Sequence, residues 1–100
     1  MPTDTIVKIK PQVEIKEPPL YRVIYMNDDV TTMEFVIETL MIFFRLEHDQ
    51  AMAITQKIHE EGSAVVAVLP FEIAEQKGIE VSMLAKRHNF PLVIKLEADE

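Results

Sequence analysis

The periodicity of the sequence changes abruptly around residue 27, and this change restricts the fold more than any other feature. Residues 21–26 (YRVIYM) are β-branched and aromatic, a pattern that predicts a strand. From residue 36 onwards apolar residues recur at the helical spacing i, i+4, i+7 and i+8. These positions are Val36, Leu40, Phe43 and Phe44, with Ile37 and Met41 widening the stripe. So wide an apolar face predicts a helix that is covered on more than one side.

Three short polar residues, Asn27-Asp28-Asp29, separate this strand from the helix. The residues that follow, Thr31-Thr32-Met33-Glu34, fit the capping box, with Thr31 as N-cap and Glu34 as N3. Two carboxylates at such a turn commonly shape the turn and compensate the helix dipole. They are equally suited to binding a metal or an ammonium group, so the pattern alone leaves several roles open.

A second helix is predicted to begin at Asp49, a suitable N-cap, and to run to about Glu60, where Gly62 ends it. Thr55 and His59 lie one turn apart on this helix and therefore share a face.

The remaining segments predict two more strands and a third helix. Residues 63–69 (SAVVAVL) are apolar without alternation, which predicts a central strand covered on both faces. The third helix is predicted over residues 71–87, with Gly78 marking a kink or break, and the last strand over residues 92–96. The order β-α-α-β-α-β predicts a single α/β (α+β) domain with a mixed sheet.

The first nineteen residues differ in composition from the rest. They hold four of the six prolines, and proline interrupts both helices and central strands. Their mainly apolar segment, residues 6–9 (IVKI), is too short to fold alone. We therefore expect residues 1–19 to be a flexible extension and residues 20–100 to form the compact domain. Three lysines offset three carboxylates in the extension, so the net charge of −7 lies entirely on the domain.

Charge and composition exclude several classes of protein. An acidic domain repels phosphate backbones, so nucleic acid is not an expected partner. No window approaches 18 consecutive apolar residues and no signal-peptide pattern is present, so we expect a cytoplasmic protein that does not enter the membrane. Because the chain has no cysteine, disulfides and cysteine-ligated metals are excluded. No cofactor is expected.

The block NDDVTTMEFV (residues 27–36), the pair Ile58-His59 and the pair Pro91-Leu92 resemble the ClpS family. That family comprises bacterial adaptors that hand N-degron substrates to a Clp AAA+ unfoldase and its protease. The resemblance covers about residues 18–97 and implies a monomeric adaptor whose fold is similar to the C-terminal domain of the ribosomal stalk protein. It also implies a disordered N-terminal extension that engages a ClpA- or ClpC-type unfoldase.

The family binds a free α-amino group together with a first side chain that is Leu, Phe, Tyr or Trp. The resemblance implies that Asn27, Asp29 and His59 hold the amino group, with Asp28 beside them. The side-chain pocket is implied for Thr31, Met33, Val36, Thr55 and Leu92. The unfoldase-facing patch is implied for Glu72 and Lys77.

Two positions depart from the family's pattern. Thr32 stands where the family usually has proline, a change at the first turn of a helix. Thr55 stands where the family often has methionine or another bulky apolar residue, and this difference affects the predicted width of the pocket.

The chemistry of the residues independently suits an amine site. A terminal amine differs from every internal residue in its positive charge, so its recognition needs fixed acceptors beside an apolar hole. Asn27 offers a carbonyl oxygen, and Asp28 or Asp29 offers a carboxylate. His59 can accept a hydrogen bond while its ring is neutral, the predominant form of histidine above about pH 6.5.

Two other functions are compatible with parts of this sequence. An acid–base hydrolase could use Asp28, Asp29 and His59, but no serine lies in a nucleophile motif and no metal-ligand spacing is present, so we do not expect an enzyme. The second alternative is an interaction module that binds an internal segment of its partner along an exposed strand edge. Acetylating a peptide's N-terminus should abolish amine recognition and leave strand-edge binding intact.

Overall fold

The computed structural model describes residues 17–100, in which three helices cover one face of a three-stranded sheet. The predicted order β-α-α-β-α-β is confirmed. The elements are β1 (Leu20–Met26), α1 (Met33–Phe44), α2 (His48–Glu61), β2 (Ser63–Pro70), α3 (Phe71–Arg87) and β3 (Val93–Ala98). Only residues 17–19 of the predicted extension fall within this range, and the segment of residues 6–9 lies outside the described residues.

The sheet has the order β2-β1-β3, and both outer strands are antiparallel to β1. The prediction of a mixed sheet with β2 at its centre is therefore wrong. Ala64 and Val66 are buried under the helices, but Val65 and Val68 lie on the open face and are 41% and 42% exposed. Apolar and polar residues do not alternate along β2 because its open face also carries valines.

The helix boundaries differ from the sequence prediction at two N-termini. Thr32, not Thr31, is the N-cap of α1, and its hydroxyl oxygen accepts from the Phe35 amide at 3.1 Å. The predicted box of Thr31 and Glu34 is wrong by one position because the Thr31 hydroxyl donates to Asp28 instead. Helix α2 begins at His48 rather than after Asp49, and the amide of its N-cap Glu47 donates to Gln50 Oε1 at 3.1 Å.

Of the two glycines, one ends a helix as predicted and the other lies within an unbroken helix. Gly62 ends α2 as predicted, with a left-handed φ of 91° and its amide donating to the Ile58 carbonyl. Gly78 does not break α3, which continues from Phe71 to Arg87 as one helix. In the described range 17–100, none of the helices combines the length and apolarity needed to cross a membrane.

A buried hydroxyl pair joins the central strand to α1. Tyr25 and Thr39 are both 0% exposed, and their hydroxyl oxygens lie 2.9 Å apart. The Thr39 hydroxyl donates to the Val36 carbonyl at 2.8 Å, so the Tyr25 hydroxyl is the donor to Thr39. Burial raises the pKa of Tyr25 more strongly than this hydrogen bond lowers it, which keeps the phenol protonated.

Replacing Thr39 with valine is expected to destabilise the domain by about 2 kcal/mol, because the buried Tyr25 hydroxyl loses its acceptor. The double variant Tyr25→Phe/Thr39→Val should recover most of that loss, since neither polar group then remains unpaired. Urea denaturation of the wild type, both single variants and the double variant measures the coupling. Strictly additive losses would show that the pair is energetically independent.

Candidate functional site

A cavity of about 240 Å³ lies where β1 ends, between the following turn and helices α1 and α2. Its lining residues are Asn27, Asp28, Asp29, Thr31, Met33, Val36, Thr55, Ile58 and His59. The turn contributes the polar side chains, α1 contributes apolar ones, and α2 contributes both kinds. The structure thus brings together eight of the sequence-predicted residues in one place.

Asp28 organises the turn. Its Oδ1 accepts from the amides of Val30 and Thr31 at 2.8 and 2.6 Å, and its Oδ2 accepts from the Thr31 hydroxyl at 2.8 Å. Partial burial acts to raise the pKa of Asp28, but the three hydrogen bonds outweigh it and hold the pKa below its ordinary value. Both carboxylate oxygens are therefore already engaged within the turn.

The other polar side chains of the cavity are free to accept hydrogen bonds. The backbone amide of Asn27 donates to the Gly62 carbonyl at 2.9 Å, which fixes the end of β1 against the end of α2. The side chains of Asn27, Asp29 and His59 are exposed and have no hydrogen-bond partner within residues 17–100. The side chains of Asn27 and Asp29 on the turn and the imidazole of His59 on α2 therefore line the same cavity.

The inner part of the cavity is apolar and buried. Val36 and Ile58 are 6% and 4% exposed, whereas Met33 at the start of α1 is 42% exposed. Thr55 is 2% exposed, and its hydroxyl oxygen has no hydrogen-bond partner among residues 17–100. A polar rim and an apolar interior suit a ligand with one charged end and one hydrophobic side chain.

Three predicted residues do not line this cavity. Leu92 is 7% exposed and belongs to the hydrophobic core. Glu72 is exposed at the start of α3, next to Pro18 and Pro19, and Lys77 is half-buried further along the same helix. Ile58 lines the cavity although sequence reasoning did not assign it there. Its spacing of three residues from Thr55 on one helix was the available signal.

The same residues do not form a metal centre. Among residues 17–100, no three His, Cys, Asp or Glu side chains are arranged to hold a metal ion. Instead, the carboxylate of Asp28 accepts hydrogen bonds from backbone amides of the turn itself.

Fold and site together define a small α+β domain with a half-buried pocket, polar at its rim, at a strand-to-helix turn. A family model described as "ATP-dependent Clp protease adaptor protein ClpS" matches residues 16–95. The chain belongs to the ClpS family of Clp protease adaptors.

Individual relatives agree with this assignment. The ClpS adapter protein of Roseobacter denitrificans is 44% identical over 97 residues, covering 97% of this chain and 86% of the relative. That of Wolinella succinogenes is 38% identical over 95 residues, covering 95% and 93% of the two chains. The solved structure of Agrobacterium tumefaciens ClpS2 bound to L-phenylalaninamide is 40% identical, with a TM-score of 0.79. That match covers 83% of this chain and 100% of ClpS2.

Proposed function

We propose that this chain is a cytoplasmic adaptor that binds proteins with a free N-terminal Leu, Phe, Tyr or Trp and delivers them to a Clp AAA+ unfoldase and its protease. The observation that carries the proposal is the cavity of about 240 Å³, which joins acceptors without a partner in residues 17–100 to a buried apolar interior. Membership of the ClpS family supports it. So does the ligand of the Agrobacterium structure, a phenylalanine derivative with a free amine.

The two aspartates have different roles in this proposal. Asp29 is exposed and unengaged within the described residues, so its carboxylate can accept from the ammonium group together with Asn27 and His59. Asp28 holds the turn in place through three hydrogen bonds and contributes to the ligand through its charge alone. The side chain of the first residue enters between Val36, Thr55 and Ile58.

The proposal is tested by fluorescence anisotropy with a labelled Leu-initiated peptide and a Ser-initiated peptide of otherwise identical sequence. Burying a leucine side chain contributes about 1.5–3 kcal/mol, and hydrogen bonds to a charged group contribute a similar amount each. After the cost of ordering the peptide, we expect a Kd of about 1 μM for the Leu peptide. The Ser peptide should show no saturable binding in the same range. Equal affinity for both peptides would contradict the proposal.

The side chain at position 55 is proposed to set how wide the pocket is. Thr55 is smaller than methionine, so its methyl group leaves more room near the first side chain. Thr55→Met is expected to reduce affinity for Ile-initiated peptides about fivefold more than for Leu-initiated peptides, because overpacking penalises β-branched shapes. Anisotropy with both peptides gives the Leu-to-Ile ratio. An unchanged ratio would show that Thr55 does not control the pocket.

Delivery is proposed to use a surface separate from the cavity, with the adaptor acting as a monomer. Glu72 and Lys77 lie on α3, outside the cavity lining, and they are proposed to contact the N-terminal domain of a ClpA- or ClpC-type unfoldase. Pro18 and Pro19, in the described part of the extension, border Glu72. No catalytic role is proposed for any residue.

Glu72→Ala/Lys77→Ala is expected to leave peptide affinity unchanged and to slow adaptor-dependent degradation at least about fivefold, through loss of charged contacts to the partner. The matched control is Glu38→Ala/Lys57→Ala, which removes the same charges from exposed positions on α1 and α2. Degradation of a Leu-initiated reporter by the unfoldase and protease measures delivery. Equal rates for the two double variants would remove Glu72 and Lys77 from the interface.

A strand-edge interaction module is the second candidate function. Each outer strand pairs only with β1 within the described residues, so β2 and β3 each present one unpaired edge. Such an edge binds an extended segment through main-chain hydrogen bonds whether or not its terminus is free. Amine recognition and edge binding therefore respond differently to N-terminal acetylation.

A further inference from the structure

Strand β3 forms one edge of the sheet and is regular along its whole length. The Asp99 amide donates to the Leu20 carbonyl, and β3 pairs with β1 without a break in register. Because hydrogen-bonding direction alternates along an antiparallel strand, the backbone groups of Ile94, Leu96 and Ala98 point away from β1. No other strand pairs with them within residues 17–100. An extended segment of suitable sequence can therefore add to this edge.

The two faces of β3 differ in chemistry. Ile94 and Leu96 lie on the face towards α3, where they line a cavity of about 360 Å³. The residues of α3 that line this cavity are Glu75, Gly78, Ile79, Ser82, Met83 and Lys86. They include one carboxylate and one ammonium group, so this side of the edge has no net charge. Lys95 and Glu97 are exposed on the opposite, open face of the sheet.

We propose that β3 pairs with β3 of a second copy of this chain, antiparallel about a two-fold axis at Leu96. In this register Leu96 lies opposite Leu96 of the second copy, and Ile94 lies opposite Ala98. The outward backbone groups of both strands then hydrogen-bond to each other, and apolar side chains meet on the face towards α3. On the open face Lys95 lies opposite Glu97 of the second copy, and the symmetry forms this pair twice. The two three-stranded sheets join into one.

Charge complementarity selects this register. Moving the axis by one residue, to Lys95 or to Glu97, keeps the outward backbone groups paired. It also sets two lysines or two glutamates directly opposite each other, which is destabilising, whereas opposite charges across a strand pair are stabilising. Of these three positions, the axis at Leu96 is the one that places no like charges opposite each other.

The other charged groups on the open face fit the same arrangement. Arg22 contacts Glu97 at 3.3 Å, so the carboxylate of Glu97 would lie between Arg22 and Lys95 of the second copy. Asp99 lies 3.8 Å from Arg22 and would face Val93 of the second copy. Lys95 makes no ion pair within residues 17–100, so its ammonium group is available to the second copy.

The opposite edge of the sheet lacks these features. The pairing of β2 with β1 shifts in register between Val23 and Ile24, and such an irregularity disturbs an edge. β2 also ends at Pro70, which has no amide hydrogen to donate. Its sequence, SAVVAVLP, has no charged residue, so no charge pair would fix the register of an added strand.

Self-pairing at β3 would give a weak, reversible dimer. A contact made by one pair of strands belongs with the small interfaces, below about 1,000 Å², that are transient, so we expect a Kd of about 100 μM. No residue of β3 lines the candidate functional site, so that site would remain open in both copies. The adaptor proposed above would act as the monomer, and pairing would protect its exposed edge from unspecific contacts at high concentration.

Charge reversal in the full chain tests the proposal. Sedimentation equilibrium between about 10 μM and about 1 mM should show the wild-type dimer with this Kd. Lys95→Glu and Glu97→Lys should each weaken it at least about tenfold, because both symmetric pairs become repulsive. An equimolar mixture of the two variants should restore the wild-type Kd, since each glutamate again lies opposite a lysine in the heterodimer.

Three results would overturn the proposal. The first is a wild type that stays monomeric at about 1 mM, where the expected Kd gives mostly dimer. The second is a single variant that dimerises as tightly as the wild type, because the contact would then lie elsewhere. The third is a mixture that dimerises no more tightly than either variant alone.

A disulfide across the axis gives an independent measurement that needs no change of charge. The chain has no cysteine, so Leu96→Cys introduces one thiol per copy, and Val93→Cys is its control at an exposed position of the same strand. Facing Cα atoms of a hydrogen-bonded antiparallel pair are about 5.5 Å apart, within the range of a disulfide. Mild oxidation should therefore produce a covalent dimer at least about fivefold faster for Leu96→Cys than for Val93→Cys. Equal rates, or a faster reaction of Val93→Cys, would contradict pairing about Leu96.

Discussion

Acetylating the N-terminus of a Leu-initiated peptide is expected to weaken its binding at least about a hundredfold, which corresponds to about 2.8 kcal/mol. The free ammonium offers three donors and a positive charge to Asn27, Asp29 and His59. Each hydrogen bond to a charged group contributes about 1.5–3 kcal/mol, so the loss of one or two accounts for the expected effect. Acetylation also leaves the acceptors facing a neutral amide and a methyl group.

The measurement is competition against a labelled Leu-initiated peptide, followed by fluorescence anisotropy. Three unlabelled competitors are needed: the free peptide, its acetylated twin, and a peptide extended by one alanine that makes the leucine internal. The extended peptide keeps a free amine and therefore separates the amine from the first side chain. Binding of the acetylated peptide within about threefold of the free one, a difference under 1 kcal/mol, would favour pairing along a strand edge.

Local signals explain why much of this fold could be predicted from the sequence. The third helix was predicted over residues 71–87, and the structure has it from Phe71 to Arg87. The strand before the polar turn was predicted within one residue of β1, because β-branched and aromatic residues end abruptly at Asn27. These features are determined by residues that are close in sequence, so they can be predicted without knowledge of tertiary contacts.

The predictions that were wrong concern features that depend on contacts between residues distant in sequence, or on which of two adjacent residues makes a given hydrogen bond. An apolar run such as residues 63–69 is compatible with a central strand and with an edge strand, and only the pairing of β1 with both other strands distinguishes them. Thr31 and Thr32 have the same capping chemistry, and the carboxylate of Asp28 decides between them by engaging the Thr31 hydroxyl. The hydrogen bond between Tyr25 and Thr39 joins residues fourteen apart that no local pattern links.

The candidate site also combines features that the sequence reveals with features that only the hydrogen bonds of the structure reveal. Its polar residues, Asn27 to Asp29, are visible as an unusual run at a strand-to-helix turn, and the resemblance to ClpS adds His59 from another helix. Residue type could not separate the two aspartates, because both carry the same carboxylate at adjacent positions. Their hydrogen bonds separate them, since within the described residues Asp28 is engaged by three donors and Asp29 by none.

Asp28→Ala and Asp29→Ala are therefore expected to have different effects. Removing Asp28 deprives two amides and a hydroxyl of their acceptor, which should destabilise the domain by about 2 kcal/mol, as for loss of a helix cap. Peptide affinity should fall as well, because Asn27 and Asp29 lose their fixed positions. Removing Asp29 should change stability by less than about 0.5 kcal/mol, as for other exposed residues, and weaken peptide binding at least about tenfold.

The contribution of Asp28 to stability should also depend on pH in a defined direction. Hydrogen bonding lowers the pKa of Asp28 in the folded state below its ordinary value of 3.8. The stabilisation is therefore fully present above that value and is lost as the pH falls through the lower pKa of the folded state. The difference in unfolding free energy between the wild type and Asp28→Ala should be constant from about pH 6 to pH 8 and should shrink below about pH 4.

Urea denaturation at several pH values, with peptide anisotropy at pH 7.5, distinguishes the two aspartates. Asp29→Ala serves as the matched control, because it removes one charge from the same turn without breaking these hydrogen bonds. If Asp29→Ala destabilised the domain as much as Asp28→Ala, net charge rather than hydrogen bonding would determine the stability of the turn. If Asp29→Ala left peptide binding unchanged, Asp29 would not be the carboxylate that contacts the amine.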